Sequence, residues 1–190
     1  MPRFWSTIIF SLALIAGCDS GPRFKSTDIT GADYGKTLEL TDHTGRARHL
    51  EDFRGKAVVL FFGFTHCPDV CPLTADHLNQ ALAALGPARR SVRVLAVSVD
   101  PLGDTRTAIA SFLRAHALLP EFRYLTGTPE ALRAVWAAYG VGTKPRGGGG
   151  RDHTLYTLLL DRAGRGRVIY DANAKPTDIS HDLRLLLGRG

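Results

Sequence analysis

Two cysteines, Cys67 and Cys71, lie four residues apart where a continuous apolar run gives way to a helical pattern. If this segment is helical, both thiols lie on one face, and the partial positive charge at the helix amino terminus favours thiolate over thiol. Such a pair can form a disulfide, exchange disulfides with a partner, or bind a soft metal such as Cu(I) or zinc. The spacing predicts thiol or metal chemistry and leaves these three alternatives open.

Two sulfurs leave a metal site incomplete, so a third ligand is expected. His153 is the best candidate, because it follows a glycine-rich stretch that would let it approach or leave the sulfurs, and it precedes a predicted buried strand. Asp152 or a backbone carbonyl is expected to orient its ring. His66 adjoins Cys67 and competes for this role, although its place on the loop favours tuning the thiol over metal ligation.

Strand and helix patterns alternate along the chain, and the elements that they predict must position the cysteines and His153. Residues 57–64 and 92–99 are apolar runs typical of strands buried on both faces. The other predicted elements are two short strands within 38–50, helices over 71–85, 105–117, 128–139 and 177–187, strands over 122–125, 154–160 and 167–170, and a flexible loop over 140–151. This order predicts an α/β, thioredoxin-like fold with an N-terminal β-hairpin extension.

Two helix starts carry capping signals. Asp104 is predicted to cap the second helix, and Thr128 the third, with Pro129 at its first helical position. Trp136 and Tyr139 fall at helical spacing in that third helix, so we expect both side chains to lie in the core.

The composition is that of a soluble globular domain, with 44% hydrophobic and 22% charged residues among 190. The formal net charge is +6, but the basic residues do not cluster along the sequence; the tightest group is Arg162, Arg165 and Arg167, in a glycine-rich turn. We therefore expect a solvated basic face and no nucleic-acid partner. The chain also lacks a P-loop and a dinucleotide-binding glycine motif after a strand.

The first residues have the pattern of an export signal. Arg3 is followed by an apolar or small stretch over 4–16, which suits a signal peptide better than a membrane span. The stretch ends in Leu-Ile-Ala-Gly-Cys, which resembles a bacterial lipobox with Cys18 as the lipidated residue. The expected organisation is a lipoprotein signal peptide over 1–17, a tether over 18–30 and one domain over 31–190. Asp19 resembles an inner-membrane retention signal, which predicts a lipid-anchored protein on the periplasmic face of the inner membrane.

Three motifs carry a resemblance to a known family: FFGFTHCPDVCP over 61–72, VSVDP over 97–101 and DHT over 152–154. They resemble the Sco/SenC copper chaperones of cytochrome c oxidase assembly. The resemblance implies a thioredoxin-like fold that binds copper, as Cu(I) or Cu(II), through Cys67, Cys71 and His153. It also implies a membrane tether and delivery of copper to the binuclear centre of oxidase subunit II, with a periplasmic copper donor upstream. Some members reduce that centre's cysteines, which would make Cys67 and Cys71 a redox disulfide.

Two other functions compete with copper carriage. One is a thiol–disulfide oxidoreductase or thiol peroxidase that acts on partner cysteines, and the other is a lipid-anchored module whose cysteines form only a disulfide. Oxidoreductases of this fold typically use a C-x-x-C motif that faces a cis-proline. Here the cysteine spacing is one residue longer, and His153 roughly occupies the place of that proline. These features favour a copper carrier over an enzyme.

Overall fold

The computed structural model describes residues 23–33, 37–146 and 151–188. The predicted signal peptide and Cys18 lie outside the described residues. Within the described ranges, no helix is both long and apolar enough to cross a bilayer.

An eight-stranded mixed sheet forms the centre of the domain. The described residues form ten strands, eight of them in this sheet: β1 (Thr27–Asp28), β2 (Glu39–Asp42), β3 (Ala47–His49), β4 (Ala57–Gly63), β5 (Val92–Ser98), β6 (Phe122–Thr126), β7 (Thr143–Pro145), β8 (Arg151–His153), β9 (Thr157–Leu160) and β10 (Gly166–Tyr170). The order in the sheet is β1-β10-β9-β4-β5-β6-β2-β3, and β7 pairs separately with β8. Strand β4 is parallel to β5 and antiparallel to β9. Every residue of β4 is buried, because the strand consists of apolar residues and one glycine and both of its faces pack against hydrophobic cores.

Four helices cover the two faces of the sheet: α1 (Val70–Ala84), α2 (Arg106–Ala115), α3 (Pro129–Ala138) and α4 (Pro176–Gly188). Alternate residues of β4 enter different cores. Phe61 packs in the core that includes α1, α2 and α4, whereas Leu60 packs in the core that includes α3. Trp136 and Tyr139 are buried in the second core, as predicted. The hairpin β2–β3 joins the sheet edge through β6, which confirms the predicted N-terminal extension.

The second helix begins differently from the prediction. Thr105 caps α2, since its backbone is extended and its hydroxyl accepts a hydrogen bond from the N–H of Ala108 at 3.2 Å. The prediction that Asp104 caps this helix was wrong, because the Asp104 side chain is buried and bonded to groups on other elements. Thr128 caps α3 as predicted, by accepting from the N–H of Ala131.

The segment predicted as a flexible loop contains regular structure. Strand β7 pairs with β8 in an antiparallel hairpin, with Thr143 opposite His153. Residues 147–150 lie outside the described residues. His153 ends β8, and the buried strand predicted over 154–160 begins only at Thr157, so the predicted start of that strand directly after His153 was wrong. The glycines masked this short hairpin in the sequence.

Part of the predicted tether lies on the domain. The backbone N–H of Lys25 donates to Asp182 in α4 at 2.9 Å, and the hydroxyl of Ser26 donates to the carbonyl of Ile169 at 2.8 Å. Strand β1 then pairs antiparallel with β10. Residues 25–28 are therefore folded onto the domain at the edge of the sheet.

Candidate metal centre

Both cysteines lie at the carboxyl end of the central parallel strand, where open α/β sheets place their sites. The cysteine loop, residues 64–69, joins β4 to α1 and contains Cys67, while Cys71 lies in the first turn of α1. Both are free thiols; Cys67 is half-buried and Cys71 is buried. The backbone N–H of Cys71 donates to the sulfur of Cys67 at 3.4 Å. The structure thus brings the two predicted sulfur ligands together.

The two thiols have very different acidities. The Cys71 thiol donates a hydrogen bond to the Cys67 sulfur, and this bond lowers the pKa of Cys67 to about 5. Burial of the sulfur opposes the shift, and the backbone N–H groups of Cys71, Asp69 and Val70 add to it. The same sulfur–sulfur bond, followed by burial, raises the pKa of Cys71 far above its ordinary value. At neutral pH the pair is therefore one thiolate and one thiol.

His153 lies beside the cysteine loop. Its ring makes an edge contact with Phe64, the first residue of the loop, with ring centroids 6.2 Å apart. Its Nδ1 is 3.0 Å from the carbonyl oxygen of Thr154. Because a carbonyl can only accept, Nδ1 carries the proton and Nε2 keeps a free lone pair. The carbonyl, one of the two orienting groups expected from the sequence, therefore presets the tautomer that a metal requires.

Asp152, the other group expected to orient the His153 ring, pairs with an arginine instead. Its carboxylate is 3.6 Å from Arg146 in an exposed ion pair on the hairpin. His66 is also exposed, and its Nδ1 lies 3.2 Å from the hydroxyl of Thr65.

The three predicted ligands do not form a closed site in this conformation. Within the described ranges, no group of three His, Cys, Asp or Glu side chains lies close enough together to hold a metal ion. Two sulfurs and an imidazole nonetheless match the preference of copper for soft donors and nitrogen. The ligand set Cys67, Cys71 and His153 stays a prediction that requires a further approach of the imidazole.

A buried carboxylate that was not predicted to be part of the site holds the cysteine loop. Asp104 Oδ1 accepts from the backbone N–H and the hydroxyl of Thr65, at 2.7 and 2.8 Å. Its Oδ2 accepts from the hydroxyls of Ser98 and Tyr124, at 2.6 and 3.0 Å. Burial raises the pKa of Asp104 despite these bonds. The sequence held one signal for this role. Thr105 and Asp104 are both capping residues, and only one of two adjacent residues can cap a helix, so the other was free to act elsewhere.

An ion pair ties the histidine hairpin to the sheet. Arg151, the first residue of β8, donates its Nε–H to Asp100 at 3.3 Å, and the two side chains are 20% and 13% exposed. Asp100 follows the end of β5, so the pair fixes the hairpin of His153 to the same sheet end that carries the cysteines. Nothing in the spacing of these residues along the sequence predicted this pair.

Comparison with known proteins identifies the family of this chain. A model of the SCO1/SenC family matches residues 26–188. The chain is 41% identical over 106 residues to the mitochondrial SCO2 homolog of Bos taurus, covering 55% of this chain and 39% of that protein. It is 31% identical over 156 residues to the mitochondrial SCO1 homolog of Homo sapiens, covering 77% of this chain and 50% of that protein. The chain thus spans half or less of the length of these relatives.

Solved structures support the same assignment. Bradyrhizobium japonicum ScoI, whose structure has copper bound, shares 32% identity with this chain at a TM-score of 0.73, over 80% of this chain and 99% of that one. The thioredoxin-like fold expected from the sequence is thereby confirmed. The chain belongs to the SCO1/SenC family.

Proposed function

We propose that this protein is a copper carrier that binds the ion through Cys67, Cys71 and His153 and delivers it to the binuclear copper centre of cytochrome c oxidase subunit II. The observation that carries the proposal is the paired thiolate and thiol at the mouth of α1, with an imidazole next to their loop. The copper-bound structure of the related ScoI supports the same chemistry.

The acidities of the site suggest the order of copper binding. Cys67 is already a thiolate at neutral pH, so it can bind copper without first losing a proton and is the first ligand. Binding there removes the lone pair that holds the Cys71 proton, and Cys71 then deprotonates to become the second ligand. Nε2 of His153 completes the site when the β7–β8 hairpin moves toward the sulfurs. Copper is cargo here, so a site that closes by hairpin movement also permits release.

Exposed leucines surround this end of the sheet. Leu73, Leu102 and Leu155 are the exposed large hydrophobic residues of the described ranges, at 50%, 82% and 46% exposure. They lie two residues after Cys71, Asp100 and His153, respectively. Copper transfer requires a partner ligand to come within bonding distance, so the partner must cover this surface. An apolar rim, from these three leucines, favours such transient contact.

The proposed setting is the periplasmic face of a bacterial inner membrane. Cys18 would carry the lipid, and a periplasmic copper donor would load the site before delivery. The sequence pattern of the leader supports this anchorage.

The acidic thiol of Cys67 also supports a second function, the reduction of disulfides in a partner protein. The Cys67 thiolate would attack a partner disulfide to form a mixed disulfide and release one partner thiolate. Cys71, after losing its proton, would attack Cys67, which releases the second partner thiolate and leaves the Cys67–Cys71 disulfide. A dithiol reductant would be needed to restore the pair.

A Cu(I) titration against a competing chelator tests the main proposal. We expect one copper per chain and no binding after Cys67→Ser or Cys71→Ser. Loss of a group that only orients a ligand typically lowers metal affinity about 10–100-fold, so His153→Ala, which removes a ligand, should lower copper affinity by at least that much. Leu102→Ser should keep copper affinity and slow transfer to the soluble domain of subunit II. Equal affinity in His153→Ala and wild type would remove the histidine from the site. Metal-free turnover of a disulfide substrate at enzymatic rates would favour the second function.

A further inference from the structure

Basic side chains gather at the end of the sheet opposite the cysteine loop, where the parallel strands β4, β5 and β6 begin. This basic pole consists of Arg54, Lys56, Arg90, Arg93, Arg123 and Arg162. These residues come from four separate segments of the chain, so the sequence did not reveal the cluster. Arg54, Arg90 and Arg162 are exposed, and the other three are half-buried.

Hydrogen bonds show that these cations are close neighbours. Lys56 Nζ and Arg93 Nη1 both donate to the carbonyl oxygen of Arg90, at 3.1 and 3.2 Å. Arg162 Nε donates to the carbonyl of Gly55 at 3.2 Å, which joins the β9–β10 turn to the turn before β4. Burial, and then the nearby charge of Arg123, lowers the pKa of Arg93. Several like charges are thus held together at one end of the domain.

The charge of the basic pole is not balanced within the domain. Across the described ranges, none of its six residues forms a salt bridge; they donate to backbone carbonyls instead or extend into solvent. Two buried acids lie at this end. Glu121 pairs with Arg89 and its charge also acts on Arg93, and Asp161 pairs with two arginines of β10 and its turn. Glu51 and Asp52, on the short 3-10 helix Leu50–Phe53, and Asp33, which lines the same cavity as Arg54, add three exposed carboxylates, fewer than the six cations.

We propose that the basic pole binds the anionic phospholipid headgroups of the membrane that anchors the chain, so that the cysteine loop faces away from the bilayer. Cys18, the predicted lipid site, lies five residues before Arg23. Strand β1 is antiparallel to β10, which runs in the same direction as β4, so β1 begins toward the cysteine end of the sheet. A fully extended chain covers about 3.5 Å per residue, so these five residues give the lipid anchor a reach of about 18 Å back toward the basic pole. Attraction to an anionic surface acts over a Debye length of about 8 Å. The thiols and the apolar rim then stay free for the partner.

Vesicle co-sedimentation tests the basic pole directly. The mature chain with Cys18→Ser is used, so that no lipid holds the protein to the vesicle. We expect binding to vesicles with roughly 30% phosphatidylglycerol, weak binding to neutral phosphatidylcholine vesicles, and loss of binding as salt rises. Each basic residue near an anionic surface is worth about a fivefold change in partition. The variant Arg54→Gln/Arg90→Gln should therefore bind roughly 25-fold more weakly, and Arg54→Glu/Arg90→Glu more weakly still.

A matched control changes the same charge elsewhere. Arg106→Gln/Arg133→Gln removes two exposed arginines from α2 and α3, and it should weaken vesicle binding less than about threefold. Equal losses in both double variants would overturn the proposal, as would equal binding to anionic and neutral vesicles. Tighter binding of the chain to duplex DNA than to the anionic vesicles would also overturn it. Copper affinity should be unchanged in every variant, which separates this test from that of the proposed function.

Discussion

Asp104 accepts two hydrogen bonds from Thr65, one from the backbone N–H at 2.7 Å and one from the hydroxyl at 2.8 Å. Thr65 lies two residues before Cys67, so this contact sets the path of the cysteine loop. The other carboxylate oxygen accepts from Ser98 and Tyr124, which ties the loop to β5 and β6. The position of the thiolate thus depends on a carboxylate that contacts neither sulfur through a hydrogen bond in the structure.

We expect Asp104→Ala to lower the free energy of unfolding by about 3 kcal/mol or more, because it leaves several buried donors without an acceptor and each costs about 1–3 kcal/mol. Urea denaturation measures this loss. Amide hydrogen exchange in the cysteine loop should also become faster. Asp69→Ala is the control on the same loop, since the Asp69 side chain is exposed and does not cap α1. It should change stability by less than about 0.5 kcal/mol. A loss as small for Asp104→Ala would show that this carboxylate does not hold the cysteine loop.

The acidity of Cys67 gives a prediction for its reactivity. The thiolate is the nucleophile, so alkylation of Cys67 by iodoacetamide should stay near its full rate at neutral pH and fall as the pH drops through about 5. An ordinary cysteine loses this reactivity near pH 8.5. Cys71 should react only slowly, because it is buried and its pKa is raised. Mass spectrometry of the alkylated chain across a pH series measures both thiols.

Substitutions of Cys71 separate the causes of this acidity. Cys71→Ala removes the sulfur–sulfur hydrogen bond, the largest cause of the shift, and should raise the pKa of Cys67 toward its ordinary value. Cys71→Ser keeps a donor and should retain part of the shift. If both variants titrate like the wild type, the thiol of Cys71 is not the cause.

The sequence was informative where the signal is local. The apolar run before Cys67 predicted β4. The cysteine spacing predicted two neighbouring thiols, and they are neighbours, but only Cys71 lies in α1; the expectation of one helical face for both was wrong, because Cys67 precedes the helix on the loop. The capping pattern at Thr128 likewise depends on neighbours three residues away. The fold class followed from the order of such local patterns.

The parts of the site that the sequence did not predict depend on contacts between distant residues. Asp104 contacts Thr65, 39 positions away, and Arg151 contacts Asp100, 51 positions away. The residues of the basic pole are dispersed along the sequence, yet strand order brings them to one end of the sheet. Pairings of this kind are set by tertiary packing, which residue spacing does not encode.

The ion pair between Arg151 and Asp100 is expected to restrain the hairpin of His153. We predict that Arg151→Met speeds amide exchange in β7 and β8 while lowering global stability by only about 1 kcal/mol, because the pair is largely buried but lies at the edge of the domain. Arg146→Met is the control in the same hairpin, since its pair with Asp152 is 72% and 67% exposed and should be worth less than about 0.5 kcal/mol.

A double-mutant cycle of Arg151→Met with Asp100→Asn isolates this pair. The two changes should be non-additive by about 0.5–1 kcal/mol. Additive changes, with hairpin exchange no faster than in Arg146→Met, would show that the ion pair does not hold the hairpin.

Gly63 ends β4 directly beneath the buried thiol, and Gly63→Ala should damage the site without changing any ligand. A Cβ at this position would lie 2.9 Å from the Cys71 sulfur and 3.4 Å from its Cβ, so Cys71 must shift. The shift should weaken the hydrogen bond to Cys67, raise the pKa of Cys67 and lower copper affinity. Overpacking of this kind costs about 1–3 kcal/mol of stability. Gly142→Ala is the control, because its Cβ would meet nothing nearer than the Thr154 hydroxyl at 3.6 Å. An unchanged Cys67 pKa and copper affinity in Gly63→Ala would mean that the site tolerates displacement of Cys71, since the alanine can be accommodated only if that side chain moves.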